Sequence, residues 1–482
     1  METEKLNDTS SMKRHETRAL ESPTKVRYLV LLALALAVAS AYLTRVMSAA
    51  STTIQREFGL SNEEMGYILS GFFFGYIWFQ LPGGWIANRF GTRMVLPALS
   101  ILWSVSAIWI SVARSGIELR SARIALGLAQ AGLVPCCVKV LADWFPVERR
   151  GVTSAVLACS MQGGAVLGSG LTANLLPFLG WRGVFHVYSA AGIVWAIIFY
   201  LWFRNRPDEH PSTNRAEQGL ICGFQARREI ERSDLRLGWR ADGEQTSTQP
   251  LRNSRALGSR TMTLLLVMLT SGSLWAICGQ AVFRAFGYEF FTTWFPAFLE
   301  RGHGVKVVSA GMLTMIPLVG VGLGSLFGGF VVDAMLTATG NKWLSRSGTA
   351  AGALCLCALC TLAAVYARNP LLAVTVISVG SFFSGLASPA TWAAAMDISG
   401  NYTAVVAAIM NMSGTIGAFA CPIVLGYLFS YIEQSAADWN LVLYLFVGIY
   451  FTGALCWLVL NPNQSAVERP TNVRPQTFKS DN

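Results

Sequence analysis

The sequence predicts an all-α membrane protein with twelve transmembrane helices in two six-helix halves. Three observations carry this: a shortage of charge, apolar runs of spanning length along most of the chain, and loops in which positive charge alternates. The 482 residues are 53% hydrophobic and 13% charged, with a mean hydropathy of +0.45. A soluble domain has roughly 25% charged residues. The run VRYLVLLALALAVASAYLTRVMSAA, starting at Val26, exceeds the roughly 20 helical residues that cross a hydrocarbon core.

Taken in order, spans are expected near 27–50, 64–87, 95–112, 119–142, 152–175, 183–203, 273–297, 309–332, 347–366, 371–395, 402–428 and 440–460. A polar tail (1–26) precedes them. It has no short apolar run ending in a small-residue cleavage site, so no signal peptide is expected. The amino-terminal half then covers 27–203, a polar linker 204–260, the carboxy-terminal half 261–460 and a second tail 461–482. The linker, RNRPDEHPSTNRAEQG and onward, mixes charges of both signs without apolar periodicity and reads as flexible. TMTLLLVML, just before the seventh span, reads as an interfacial helix.

Net charge is +10, and its distribution argues against a nucleic-acid partner. Lysine and arginine gather in the first tail (Lys13, Arg14, Lys25, Arg27), in the linker, and in short loops holding Arg89, Arg93, Arg149, Arg150, Lys342 and Arg346. The alternate loops are poorer in them. That is the positive-inside bias. It places both tails and the linker in the cytoplasm, which requires an even number of spans, and suits a plasma (inner) membrane protein.

The halves repeat each other. GGWIANRFGTR follows the second span and GGFVVDAMLTATG the eighth, with Asn88 four positions after Gly84 and Asp333 four after Gly329. Two six-span halves joined by a cytoplasmic linker form the layout of the major facilitator fold, whose substrate site lies at the bilayer midplane between repeats.

Four segments narrow the reading: GYIWFQLPGGWIANRFGTRMVLP, RIALGLAQAGLVPCCVKVLADWFPVERRG, FRAFGYEFFTTWFPAFL and SPATWAAAMDISGNYTAVVAAIMNMSGTIGAFACPIVLGYLF. Together they resemble the anion:cation symporter family of that superfamily, which includes hexuronate and galactonate transporters and, more distantly, sialin and the vesicular glutamate transporters. The resemblance runs from about residue 28 to 460, omitting the linker, and implies carriage of a small organic anion by alternating access.

Charges inside spans locate the expected site. An arginine at mid-span costs roughly 2.5–3.5 kcal/mol on insertion scales and needs water, an acid or an anionic ligand. Arg284 lies midway along the seventh span. Arg45 lies about two-thirds across the first, where snorkelling to the outer interface is the competing reading. The resemblance implies that Arg45, in a Tyr-x-Asp-Arg motif matched by Tyr42 and Arg45, binds the substrate carboxylate. It also implies a substrate contact for Arg284. A guanidinium fork suits a carboxylate bidentately, so the two arginines, from opposite halves, are expected to clamp one anion. Arg123, at the outer end of the fourth span, is either a further basic site residue or an interface anchor.

Coupling departs from the relatives. Galactonate-type transporters use a first-span aspartate and a fourth-span glutamate as proton carriers. Thr44 and Gln130 stand there and cannot titrate near neutral pH. Glu289 is the acid left inside a span and the candidate for proton coupling. Five residues after Arg284, it sits about 140° around the helix, so the two do not share a face. The coupling ion, proton or sodium, stays open.

Tyr76, Gln80, Gln162, Tyr288, Ser388, Trp392 and Asn411 are expected to complete the pocket. The resemblance places Tyr42, Tyr76, Ser388, Trp392 and Asn411 near positions that contact sugar-acid hydroxyls. Gating is expected from Asn88, Arg89 and Arg93 in the first motif loop, from Asp143, Glu148 and Arg149 in DWFPVERRG, and from Asp333, with Asp397 a gating or structural residue at a span end.

Other classes fit less well. The ten cysteines mostly fall in apolar runs, and CLCALC lacks a partner His or second CxxC, so neither disulfides nor a metal are expected. Four histidines are spread thinly and no Ser-His-Asp, HExxH or P-loop pattern occurs, so no enzyme and no cofactor are expected. An organophosphate or other anion exchanger, which needs no titratable pair, is the main alternative; a transporter-like sensor would need a folded cytoplasmic surface. A monomer is expected.

Overall fold

The structure, a computed structural model, describes residues 22–146, 149–221, 271–399 and 403–462. The interfacial helix expected at 261–269, most of the linker, most of both tails and Glu148 lie outside them, as does the side chain of Asn88. The described residues are overwhelmingly helical. In chain order the helices are α1 (Val26–Arg45), α2 (Ser51–Phe58), α3 (Asn62–Phe90), α4 (Thr92–Val112), α5 (Gly116–Ala131), α6 (Leu133–Trp144) and α7 (Arg150–Trp202) in the first half. The second half has α8 (Gly272–Thr293), α9 (Phe295–His303), α10 (Val307–Leu313), α11 (Met315–Thr339), α12 (Thr349–Ala364), α13 (Pro370–Ser399), α14 (Thr403–Ser435) and α15 (Asn440–Val459).

Nine helical stretches among the described residues are long and apolar enough to cross a membrane. Val152–Trp202 counts as one of these but folds back at Gly180, whose φ of 63° is left-handed. The Thr172 and Tyr188 hydroxyls, eight residues either side of it, lie 3.0 Å apart; a straight helix would separate them by about 24 Å. Helices α3 and α8–α9, which carry the second and seventh expected spans, fall outside the nine.

The ends of these helices are set locally. Ser61 accepts from Glu64 N–H while the Glu64 carboxylate accepts from Ser61 N–H, a reciprocal capping box at the start of α3. Ser115 and Ser271 cap α5 and α8 in the simpler way. The seventh expected span breaks at Trp294, where Pro296 opens α9 and the Trp294 indole donates to Pro422 O at 3.0 Å.

Glycines pair the helices within each half, and they do so symmetrically. A Cβ on Gly75 would lie 2.2 Å from Ile124 O and one on Gly127 1.9 Å from Phe72 O, locking α3 to α5. In the second half Gly324 meets Phe382 O at 1.9 Å and Gly385 meets Val321 O at 2.2 Å, locking α11 to α13. Small residues permit such close approach where apolar burial offers no driving force. The internal repeat visible in the motif loops thus recurs in the packing.

The halves meet along two seams, α3 with α14 and α7 with α10 and α11. We call the end where α1 begins the base and the opposite end the crown. At the crown the seam is polar and ionic. Arg56 pairs with Glu300 at 2.8 Å. Arg301 donates to Gln55 Oε1 and Asn62 Oδ1, both at 2.6 Å, and pairs with Glu433 at 2.9 Å. Ion pairs nearer the base stay within one half: Lys139 with Asp143 at 3.2 Å, and Asp397 with Arg346 at 3.1 Å and Lys342 at 3.7 Å.

The linker departs from expectation. Its first residues form a 3-10 turn (Pro207–Glu209) and a helical segment, 215–221, docked on the base. Glu217 is fully buried and accepts from the backbone N–H groups of Val26 and Arg27 and from the Thr24 hydroxyl. It caps α1 from 190 residues away, compensating the free N–H groups and the dipole of that helix start. Asn214 adds bonds to Ser22 O and Thr24 N–H at 2.8 and 3.2 Å. His210 wedges edge-on against Trp144 and Trp202.

Candidate functional site

The polar groups inside the bundle form two clusters and two bridges. The first cluster belongs to the amino-terminal half. Arg45 ends α1, and its guanidinium carbon lies 4.0, 4.7 and 5.3 Å from the ring centres of Tyr42, Phe72 and Tyr76. Cation–π contacts of this kind hold a guanidinium in place without neutralising it. Its Nε donates to Gln130 Oε1 at 2.7 Å. The Gln130 amide donates in turn to Thr44 Oγ1 at 2.8 Å and Ala41 O at 3.1 Å, and the Thr44 hydroxyl donates to Ala41 O at 2.7 Å. Thr44 and Gln130 are both wholly buried. Where the resemblance implies two acids, the chain has a satisfied neutral network that orients Arg45.

Arg123 is not an interface anchor. It is 3% exposed and donates to Arg45 O at 3.0 Å and Leu69 O at 3.1 Å. Because α5 starts at Gly116, seven residues put Arg123 about 10 Å inside the helix. It fixes the backbone at the end of α1, just where that helix gives way to an extended residue, Val46.

The second cluster is on α8. Arg284 has no hydrogen-bond or ion-pair partner among the described residues, and its Nε is buried. One turn earlier Gln280 is 1% exposed; its amide donates to Ile277 O, while its Oε1 is buried without a partner. Sequence reasoning missed Gln280; its spacing of four from Arg284 was the available signal. Glu289 accepts from the Thr292 hydroxyl. Its charge acts on Arg45 and Arg123 across the interface, whereas no charged group among the described residues is found to act on Arg284. The glutamate and the arginine of the seventh span therefore belong to different neighbourhoods.

Two hydrogen bonds bridge the halves at this depth. Tyr288 OH donates to Gln162 Oε1 at 2.7 Å, and Asn411 Nδ2 donates to Gln80 Oε1 at 3.1 Å. Tyr288 also lies within electrostatic range of Tyr42, Arg45 and Glu289. Tyr42, Arg45, Tyr76, Gln162, Tyr288 and Glu289 are thereby brought together. Ser388 and Trp392 are not joined to them by any bond among the described residues; Ser388 is half-buried and Trp392 is 46% exposed on α13.

Of the expected gate residues that are described, all lie at the base, and Arg93 and Asp143 are each held within their own half. Arg93 donates to Tyr200 O at 3.2 Å and stacks on the Tyr200 ring. Asp143 pairs along its own helix. Arg89, Arg149 and Asp333 are exposed.

A helical bundle of two repeated halves, with arginines buried or half-buried inside it and polar bridges between the halves, has the architecture of an alternating-access membrane transporter. The chain belongs to the Major Facilitator Superfamily, whose family model matches residues 30–334 and 277–480. A probable sulfoacetate transporter of Cupriavidus necator is 27% identical over 444 residues, covering 91% of this chain and 94% of its own. A probable galactarate/D-glucarate transporter of Bacillus subtilis is 28% identical, covering 84% and 86%. A D-galactonate transporter of Escherichia coli is 26% identical, covering 84% and 90%. Among solved structures, an inward-facing, occupied bacterial homologue of the human lysosomal transporter Spinster superposes with a TM-score of 0.66 at 17% identity, covering 91% of this chain and 95% of that one. At these identities the solved structures speak for the fold alone.

Proposed function

We propose that this protein is a secondary active transporter of a small organic anion, a sugar acid of the hexuronate or aldonate class, working by alternating access across twelve spans. The observation that carries this reading is the setting of Arg45. Its guanidinium is oriented by Gln130 and three aromatic rings, with no acid among the described residues bonded to it, at the seam between the halves. A preoriented, unneutralised guanidinium is a carboxylate receptor. Tyr42, Tyr76, Gln162, Tyr288, Ser388 and Asn411 supply hydroxyl and amide groups, and Trp392 an indole N–H, suited to a polyhydroxylated chain, and the names of the relatives support the same class.

In this reading the base faces the cytoplasm, by the positive-inside bias, in a plasma or inner membrane, and the protein acts as a monomer. The ionic seam at the crown then closes the outer mouth. Asn88, Arg89, Arg93, Asp143, Glu148, Arg149 and Asp333 form the inner gate when the halves rock. Glu289, facing Arg45 and Arg123, is the proton carrier in symport. Exchange without proton coupling is the second reading, favoured by the neutral Thr44–Gln130 pair.

The test is uptake of labelled glucuronate and galactonate into proteoliposomes, with and without an inward proton gradient, for wild type, Arg45→Ala and Glu289→Gln. Uptake lost in Arg45→Ala supports the receptor assignment. Gradient stimulation lost in Glu289→Gln supports symport, and stimulation by anion loaded on the far side instead supports exchange. Wild-type uptake of neither acid would refute the sugar-acid reading.

A further inference from the structure

One close contact in the second half is unlike the glycine pairings between helix backbones. Gly287 lies inside α8, where glycine is unfavourable relative to alanine, and what it admits is the tip of a side chain. A Cβ there would lie 2.6 Å from both Cε1 and the hydroxyl oxygen of Tyr450 on α15, and 2.7 Å from its Cζ. Tyr450 is 3% exposed. Its hydroxyl interacts with Cys357 on α12 and Ser384 on α13, and its ring centre lies 6.4 Å from that of Phe446, one turn away. Held by α12, α13 and its own helix, the ring has little room to swing aside. The contact belongs to an antiparallel seam along α8. A Cβ on Gly279 would lie 3.2 Å from Cys456 Sγ, and one on Gly453 3.4 Å from Phe283 Cβ. Phe290 stacks on Phe446 with ring centres 4.4 Å apart. Arg284 and Tyr288 lie about a third of a turn further round the helix, and from there Tyr288 reaches Gln162 in the other half at 2.7 Å.

We propose that Tyr450 is a positioning residue of the transport site: its ring, seated on Gly287, fixes the rotation of α8 and with it the direction in which Tyr288 and Arg284 project. This rests on the anion-transporter reading and adds to it a residue that touches no substrate. The magnitudes carry the argument. Restoring ordinary contact of about 3.5–4.0 Å around an added methyl must move α8 by about 1 Å. A rotation of about 15° moves an atom at the rim of a helix, about 5–6 Å from its axis, by about 1.5 Å. The Tyr288 hydroxyl lies beyond that rim, and a 2.7 Å hydrogen bond does not survive such a displacement. A disturbance behind α8 is thus delivered to the bridge between the halves. Because Gly287 adjoins Tyr288 in the chain, nothing flexible lies between the seat and the side chain it aims.

Two measurements test this, with thermal unfolding in detergent recorded for every variant. The first is the KM and maximal rate of D-galactonate uptake into proteoliposomes. Tyr450→Ala, which empties the seat, and Gly287→Ala, which obstructs it, should each raise KM at least fivefold and leave the maximal rate within about twofold. Tyr450→Phe keeps the ring on Gly287 and should restore most of what Tyr450→Ala loses. Tyr288→Phe should itself raise KM, and adding Gly287→Ala to it should raise KM no further. The second measurement needs no substrate: the distance distribution between spin labels at Val152 and Thr337, at the base of either half, read by double electron–electron resonance. Gly287→Ala and Tyr288→Phe should shift it in the same direction, and the double variant no further. A Gly287→Ala variant that unfolds like wild type with KM and distances unchanged would overturn the proposal. So would KM effects of Gly287→Ala and Tyr288→Phe that multiply in the double variant, or a Tyr450→Phe variant as impaired as Tyr450→Ala. Absence of wild-type galactonate uptake would count against the sugar-acid reading, and the seat would then stand or fall on the distances alone.

Discussion

Arg45 Nε donates to the side-chain carbonyl of Gln130 at 2.7 Å, so the guanidinium is held by a group that cannot take a proton from it or give one. The amide end of Gln130 is consumed by Thr44 and Ala41, which fixes which way round the glutamine sits.

Gln130→Glu should therefore change both affinity and pH dependence. An ionised glutamate competes with the substrate for Arg45, and the KM for the anion should rise about tenfold at pH 7.5, equivalent to roughly 1.4 kcal/mol. Protonation removes the competitor, so the variant's uptake should recover as pH falls, measured as KM against pH.

At the crown, Arg301 joins the halves through Gln55, Asn62 and Glu433. Such a network biases a two-state equilibrium, and a loss of about 1.4 kcal/mol shifts it tenfold. Arg301→Ala should increase severalfold the long-distance population between spin labels at Leu60 and His303, read by double electron–electron resonance.

The glycine contacts predict a sharp contrast. Gly127→Ala puts a methyl carbon 1.9 Å from Phe72 O, whereas Gly163 has nothing within 4 Å of the same atom. Overpacking costs about 1–3 kcal/mol, so Gly127→Ala should lower the melting temperature in detergent by several degrees and Gly163→Ala should not.

His210 gives the clasp at the base a pH dependence. Burial among Trp144 and Trp202 and the nearby Arg204 lower its pKa below the usual histidine value, against a weaker opposing pull from Glu217. A group with a lowered folded pKa contributes stability above its unfolded pKa, about 6.5, and loses it as pH falls toward the folded one. Hydrogen-exchange protection over 207–221, taken relative to the intrinsic exchange rate at each pH, should fall between pH 7 and pH 5, and His210→Asn should flatten that change.

Much of the fold was legible because crossing a bilayer is dictated by local composition. The break between the fifth and sixth spans falls at Gly180, inside the gap left between 175 and 183. Arg45, Tyr42 and Tyr288 were legible because a charge or hydroxyl in an apolar run needs a reason. What escaped depends on partners distant in sequence. Glu217 looked like one acid among many in a polar linker, and its capping of α1 spans 191 residues. Nothing in the sequence singles out Arg301 and Glu433 from other charges near helix ends, because no periodicity distinguishes a latch from a solvated surface. Arg123 stayed open between a site residue and an interface anchor because its depth depends on where α5 begins, at Gly116.

The docking of 207–221 on the start of α1 also decides where the chain can be cut. Separately expressed halves should be divided after residue 221, since a first half ending at 203 would leave the opening turn of α1 without the carboxylate that covers it. Amino-terminal truncations meet the same constraint: a tag placed directly against Ser22 after removal of residues 1–21 would crowd the carbonyl that Asn214 holds, so a spacer belongs there.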